Sequence, residues 1–158
     1  MPTQRPPRLD SPLVPKIIKL MSRAHVWVYK RSGGRIGGTW RVGAAFRKPA
    51  PNLLLEHRGR KSGKLFTTPL VYLEDGANLV VVASQGGLPN NPQWYHNLVA
   101  DPDAAVQIGT ERRLVRAHVA DDAERARLWP MLVDLYADFD SYQSWTDRKI
   151  PVVVLEPR

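Results

Sequence analysis

The sequence predicts an α+β domain: a small antiparallel β-barrel carrying an N-terminal amphipathic helix and two or three further helices. Three observations predict it. Short strand-like runs are joined by hairpin turn signals, only a few helical patterns interrupt them, and their order does not fit strict strand–helix alternation. At 158 residues, 43% hydrophobic and 24% charged, the chain is sized for one domain with a real core.

Residues 1–10 are rich in Pro and Arg and read as a disordered tail. A helix is expected to start between Ser11 and Pro15, since Ser11-Pro12 is a cap signal and Pro15 allows a later start. Val14, Ile17, Ile18, Met21 and Val28 recur at helical spacing, widened by Leu13, Leu20, Ala24 and Trp27. Lys16, Lys19, Arg23 and Lys30 fall on the other face, and Ser32-Gly33-Gly34 should end the helix. This assigns 11–32 to the helix and 33–158 to a single barrel domain. Gly37 to Pro51 is a connector broken by glycines and prolines. Strands follow at Asn52–His57 and Lys64–Leu73, where Pro69 implies an edge or a bulge. Asp75-Gly76 signals a hairpin turn into Leu79–Ser84, an unbroken apolar run that should be central. Asn91-Pro92 is read as an N-cap with proline at the first helical position, opening Pro92–Ala100. Ala104–Ile108 and Leu114–Ala120 form a hairpin across Gly109–Arg113, with His118 on the solvent face. Asp121 or Asp122 caps a helix with Leu128, Leu132 and Leu135 on one face, which Pro130 should kink or split. Ile150–Leu155 is the last strand.

The balance of charge narrows the partners. Lys and Arg outnumber Asp and Glu by 23 to 15, a net charge of +8, which attracts polyanions, anionic lipid or a small ligand with several negative charges. The chain has no cysteine, excluding disulfides, thiolate metal sites and cysteine nucleophiles. The four histidines (His25, His57, His96, His118) lack metal-ligand spacing. No apolar run approaches the roughly 18 residues of a membrane span. The N-terminus lacks the order of a secretory signal, so a cytoplasmic location is expected. The first helix, over residues 13–31, adds possible peripheral membrane contact, because its cationic face and Trp27 suit a lipid surface as well as they suit packing on its own domain.

Three stretches can carry chemistry. In Arg58-Gly59-Arg60-Lys61-Ser62-Gly63-Lys64, glycines allow a sharp turn while Arg and Lys supply charge-assisted hydrogen bonds to phosphate or carboxylate. By composition alone a solvated hairpin tip is a slightly better reading. In Ala83-Ser84-Gln85-Gly86-Gly87, continued by Asn91-Pro92-Gln93-Trp94-Tyr95-His96-Asn97-Leu98, a strand ends at a glycine pair before a helix N-terminus, leaving room for a planar ligand. A plain loop with Trp94 and Tyr95 in the core is the alternative. The third holds Tyr136, Phe139, Tyr142, Ser144, Trp145, Thr146 and Asp147, aromatic rings that can line a pocket or fill an edge. No nucleophile elbow and no paired carboxylates are present.

Gly-Arg-Lys-Ser-Gly-Lys with Thr-Thr-Pro-Leu (59–70), Ala-Ser-Gln-Gly-Gly (83–87), Asn-Pro-Gln-Trp-Tyr-His-Asn-Leu (91–98) and Tyr-Gln-Ser-Trp-Thr-Asp-Arg (142–148) together resemble the deazaflavin-dependent nitroreductase family of actinobacteria. The likeness runs from the first helix to Pro157. It implies a split β-barrel related to the flavin-reductase and pyridoxamine-oxidase barrels, binding the 8-hydroxy-5-deazaflavin coenzyme (coenzyme F-420), with FMN ranking behind it. That coenzyme carries a phosphodiester and an oligoglutamate tail. The resemblance implies that Arg60, Lys61, Ser62 and Lys64 hold the phosphate and acidic tail. Phe66, Thr67, Thr68, Pro69 and Leu70 would flank the ring opposite Val82, Ala83 and Ser84. Gln85, Gly86, Gly87 and Asn91 would complete the coenzyme contacts, and Trp94, Tyr95 and Asn97 would close the site. Ser84, Tyr136 and Tyr142 are the implied catalytic groups, and Val71, Phe139 and Tyr142 the substrate pocket.

The sequence departs from close relatives at Phe66, where they often have Arg; at Gln85, where they have Lys; and at Val71 and Phe139, where they have Tyr. The pocket is therefore expected to be less hydroxylated and more apolar. The expected function is hydride transfer from the reduced coenzyme to an apolar acceptor, a menaquinone-type quinone. Alternatives are a nitro compound or activated alkene as acceptor, or a module that binds deazaflavin or anionic lipid without turnover. Nucleic acid is not an expected partner, since only charge supports it.

Overall fold

The strand that organises the sheet is the one entering the cationic turn, because it has neighbours on both edges. The computed structural model describes residues 11–40 and 48–158, so the expected tail over residues 1–10 and part of the connector lie outside the described residues. Among the described residues there are eight strands: β1 (Thr39–Trp40), β2 (Ala50–Arg58), β3 (Leu65–Val71), β4 (Leu73–Asp75), β5 (Asn78–Val82), β6 (Asp103–Ile108), β7 (Glu111–Val119) and β8 (Val152–Pro157). The helices are α1 (Val14–Ser32), α2 (Gln93–Ala100), α3 (Asp122–Leu135) and α4 (Asp138–Ser144). All strand pairs are antiparallel. Residues 52–58 of β2 pair with β3 and residues 54–56 with β6, so these two neighbours occupy opposite edges of β2. From β6 the path continues through β7, β8 and β5 to β4.

β3 and β4 are the two ends of this path, and only Tyr72 separates them in the chain. A backbone that passes from one end strand to the other within one residue forces the sheet to curl on itself, giving a split barrel. The sequence reads this segment as one strand; it is broken because Tyr72 turns its N–H to Pro51 O (3.2 Å) and buries its ring in the barrel interior. Pro69 is tolerated because β3 pairs only with β2.

Period-two alternation then builds two apolar layers. Leu53 and Leu55 of β2, Leu79 and Val81 of β5, Val106, Val115, Val153 and Leu155 fill the interior with Trp94 and Leu98 of α2. The alternate residues Val80, Val82, Val152 and Val154 pack outward against Leu128 and Leu132 of α3, Tyr136 and Phe139. The unbroken apolar run of β5 follows from this, since both its faces are covered. Asp75 and Asn78 are partners across the Gly76-Ala77 turn, where Gly76 adopts φ +60°.

Several expectations are corrected. The β6–β7 hairpin is tighter than expected: Ile108 pairs with Glu111, so Gly109-Thr110 is the whole turn. The last strand starts at Val152 rather than Ile150, whose side chain is fully buried in the outer layer. Helix α2 begins at Gln93, with Pro92 at the N-cap, because the Asn91 side chain accepts from Arg148 Nη1 (2.6 Å) and is not available to cap. Pro130 does not split α3, which runs unbroken to Leu135. Pro130 and Ala126, one turn before it, are both exposed, so water can serve the carbonyl the proline leaves unpaired. The break comes at Tyr136-Ala137, where α4 starts. Asp121 is the cap of α3, its Oδ1 accepting from Glu124 N–H at 2.8 Å. His118 is half-buried and paired, 2.8 Å from Glu124 Oε1 and 3.4 Å from Glu156 Oε1.

Helix α1 stops where the sequence implies. Gly33 takes φ +62° and Gly34 N–H returns to Tyr29 O (2.9 Å). Its anchor is the C-terminal half. The Tyr29 ring is buried and its hydroxyl accepts from Gly109 N–H (2.8 Å), while His25 Nε2 donates to Gly37 O (2.6 Å). On the face turned away from that anchor Leu13, Leu20, Met21 and Trp27 each leave 60–70% of their surface in solvent.

Candidate functional site

The cationic stretch is the tip of the β2–β3 hairpin. Gly59 N–H donates to Lys64 O and Gly63 N–H to Gly59 O, both at 2.8 Å, and Arg58 Nη1 donates to Gly63 O at 2.8 Å. Gly59 is required for packing, since a Cβ there would stand 2.6 Å from Phe66 Cε2. Ser62 Oγ accepts from Lys64 N–H (3.2 Å). Among the described residues no carboxylate pairs with Arg60, Lys61 or Lys64, which distinguishes them from Arg112, Arg116 and Arg127, each spent on an acid.

Arg60 is tied to α2. Its backbone N–H and its Nη1 both donate to Asn97 Oδ1, at 3.2 and 2.9 Å. Asn97 Nδ2 lies 3.0 Å from His57 Nδ1, and His57 Nε2 lies 3.0 Å from Thr68 Oγ1. Burial holds His57 down at about 4 from its ordinary 6.5, so this relay is neutral apart from Arg60. Phe66 stacks over His57 with ring centroids 5.9 Å apart.

At the end of β5 the chain enters a 3₁₀ turn, Gln85–Gly87. Gln85 adopts φ +45°, unusual for a residue with a Cβ, followed by Gly86 at +62° and Gly87 at +77°. The turn is held by Arg148, which donates to Leu88 O (2.9 Å), Ala83 O (3.1 Å), Ser84 O (2.7 Å) and Asn91 Oδ1 (2.6 Å). Burial pulls the Arg148 guanidinium below its ordinary value. Gly87 faces protein: a Cβ there would lie 2.9 Å from Tyr142 O and 3.1 Å from Trp145 Cε3. Gly86 faces open space.

That contact brings α4 onto the strand end. Tyr136 and Tyr142 share a hydroxyl–hydroxyl hydrogen bond of 3.2 Å, and Tyr136, Phe139, Tyr142 and Trp145 form a chain of ring contacts. Burial raises the Tyr142 phenol above its ordinary value, the Tyr136 hydrogen bond opposes this, and Asp138 adds to it.

The expected site residues thus fall into two groups on opposite faces of the curled sheet. Val71, Val82, Tyr136, Phe139 and Tyr142 belong to the outer apolar layer. Leu70, Ala83, Trp94 and Tyr95 belong to the inner one, where Trp94 is buried and Tyr95 also lines a surface groove with Val99 and Val119. Phe66, Thr68 and Leu70 alternate with Thr67, Pro69 and Val71 along β3, so that strand serves both faces. Ser84, buried to 9% exposure, sits where the faces meet. Two residues escaped sequence reasoning. His57 reads as an ordinary strand-end residue, and only the hairpin register that sets it opposite Phe66 hints at its place. Arg148 closes the third motif, but nothing local says it reaches back to residues 83–91.

A family model described as F420H(2)-dependent quinone reductase matches residues 21–157. A putative F420H(2)-dependent quinone reductase of Mycobacterium tuberculosis is 64% identical over 118 residues, covering 75% of this chain and 99% of that protein. An F420H(2)-dependent quinone reductase of the same organism is 42% identical over 139 residues, covering 86% and 89%. A solved F420-H2 dependent reductase superposes with a TM-score of 0.63 at 37% identity, covering 67% of this chain and 94% of the other.

Proposed function

The chain belongs to the F420H(2)-dependent quinone reductase family, and on that premise we propose that it reduces a menaquinone-type quinone at a lipid surface with the reduced deazaflavin coenzyme. The observation that carries the coenzyme reading is the hairpin tip. Arg60, Lys61 and Lys64 have no carboxylate partner among the described residues, so their charge is left for a ligand with phosphate and carboxylate groups. The residues present fit the group: cations and Ser62 at one end, and a strand end with open space at Gly86 at the other.

When bound, the reduced deazaflavin supplies a hydride. The chain's own residues bind, orient and protonate. Arg60, Lys61, Ser62 and Lys64 would hold the phosphodiester and acidic tail. Pro69 and Leu70 of β3 and the end of β5 would flank the deazaflavin ring and guide the acceptor's approach. Ser84 Oγ hydrogen-bonds a quinone oxygen and stabilises the charge that develops there. The Tyr142 phenol is protonated at neutral pH, as an ordinary phenol is, and burial raises it further, so its hydroxyl can offer a proton to that oxygen while Tyr136 orients it. Val71 and Phe139 keep the acceptor side apolar, which suits a quinone better than a polar nitro compound.

Helix α1 supports the lipid surface. No helix among the described residues is long and apolar enough to cross a membrane. Yet Leu13, Ile17, Leu20, Met21, Ala24 and Trp27 fall on one arc, flanked by Lys16, Lys19 and Arg23, in a helix whose only buried residue is Tyr29. The test is a turnover assay with reduced coenzyme, comparing a menaquinone analogue in anionic vesicles with a nitroimidazole in solution. Faster turnover of the quinone, lost when Leu20 and Trp27 are replaced by Ser, is expected. Preference for the soluble acceptor refutes the quinone, and coenzyme binding without reoxidation by either leaves a binding module.

A further inference from the structure

The relay behind the hairpin tip has a fixed direction. The backbone N–H of Arg60 and its guanidinium Nη1 can only donate, and both meet the same side-chain atom of Asn97. That atom is therefore the carbonyl oxygen, and the amide nitrogen faces His57. The amide donates to His57 Nδ1 at 3.0 Å, so Nδ1 carries no proton. A neutral imidazole then keeps its proton on Nε2 and donates it to Thr68 Oγ1 at 3.0 Å. Thr68 has accepted, so its own hydroxyl proton must point away from His57. His57 and Asn97 are each only 4% exposed, and the Phe66 ring stacked on the imidazole limits water from that side. An imidazolium would set its Nδ1–H against the Asn97 amide N–H in a buried place, so the arrangement excludes the cation. The lowered His57 pKa agrees with this.

We infer that His57 is a positioning residue, locked as the Nε2–H tautomer, which orients Asn97 to hold Arg60 and commits the Thr68 hydroxyl to donate. The hairpin end of β3 is thereby built for an acceptor-only oxygen such as that of a phosphodiester. Arg60 and Thr68 both present donors, and the buried imidazole sets them from behind. This rests on the reading that the tip grips the coenzyme's anionic end. It adds that the grip is assembled from behind, by a strand and a helix that are 40 residues apart in the chain.

Two measurements test it. Nitrogen-15 NMR of His57 in the full chain near neutral pH should show an unprotonated Nδ1 and a protonated Nε2; the reverse tautomer or an imidazolium overturns the inference whatever any variant does. Titrations then compare the full coenzyme with a deazaflavin lacking phosphodiester and tail. His57→Phe should weaken the full coenzyme about tenfold or more, the scale of one charged hydrogen bond, and the truncated ligand about twofold at most. His57→Gln, whose amide can accept and donate as the imidazole does, should recover most of the loss. Equal loss for both ligands means a structural role only and overturns the inference. Loss on Arg60→Ala with none on His57→Phe overturns the positioning role alone, whereas no loss on either also removes the grip.

Discussion

Replacing Arg148 with Met keeps an unbranched stem and removes the guanidinium donors that hold the turn after β5. Four acceptors are affected: Leu88 O, Ala83 O, Ser84 O and Asn91 Oδ1, at 2.6–3.1 Å. Leu88 and Asn91 are only half-buried and can recruit water, so their loss should be small. Ala83 and Ser84 are buried. Ser84 O keeps the Gly87 N–H (2.9 Å), so Ala83 O is the buried acceptor left without a partner, at a cost of about 1–3 kcal/mol. Gln85, which needs its surroundings to hold φ +45°, adds to the tendency of the turn to let go. For a chain of this size 1 kcal/mol moves Tm by about 2–4 °C, so a fall of roughly 2–12 °C is expected in thermal unfolding. Arg148→Lys, which keeps the charge but not the fork of donors, should recover only part of it. A variant that melts within about 1 °C of the parent would overturn this account, because it would mean that water serves Ala83 O as well as the guanidinium does. Surviving protein should also lose turnover more than coenzyme affinity, since Ser84 is displaced while the hairpin tip is untouched.

Tyr142→Phe removes the phenol and its bond to Tyr136, and steady-state kinetics should show kcat falling about tenfold or more while coenzyme affinity holds; unchanged kcat removes the hydroxyl from the mechanism. His57 makes stability pH-dependent. Its folded pKa of about 4 lies below the unfolded 6.5, so between those values the unfolded chain binds more protons and stability rises with pH. The contribution is fully present above pH 6.5 and lost as pH falls to about 4, on the order of 3 kcal/mol. Urea unfolding at several pH values should show this slope, and His57→Gln should flatten it.

How much of this was legible depended on how local each cause is. The end of α1 at Gly33, the turn at Gly76 and the burial of β5 between two neighbours follow from short windows of sequence, and they stand in the structure, although β5 lies one strand from the end of the sheet rather than at its centre. The break at Tyr72 did not, because a strand bends there only to close a sheet whose other members lie far along the chain. Pro130 misled for the opposite reason: proline removes one hydrogen bond wherever it sits, and only exposure decides whether water replaces it.

Sequence alone was enough for most of the longer elements, the cationic tip and the family, because periodicity, turn chemistry and motif order are carried by neighbouring residues. It could not say whether the tip's charges meet acids elsewhere in the chain, and so left a ligand grip and a solvated turn close to even. Tertiary structure answers the first point, setting Asn97 of α2 against Arg60 and leaving Lys61 and Lys64 without a carboxylate among the described residues, and this supports the proposed grip. It alone gave roles to His57 and Arg148, whose hydrogen bonds reach residues up to 40 and 65 positions away. A side chain's chemistry is fixed by its type, but its direction and protonation are fixed by what the fold brings to it.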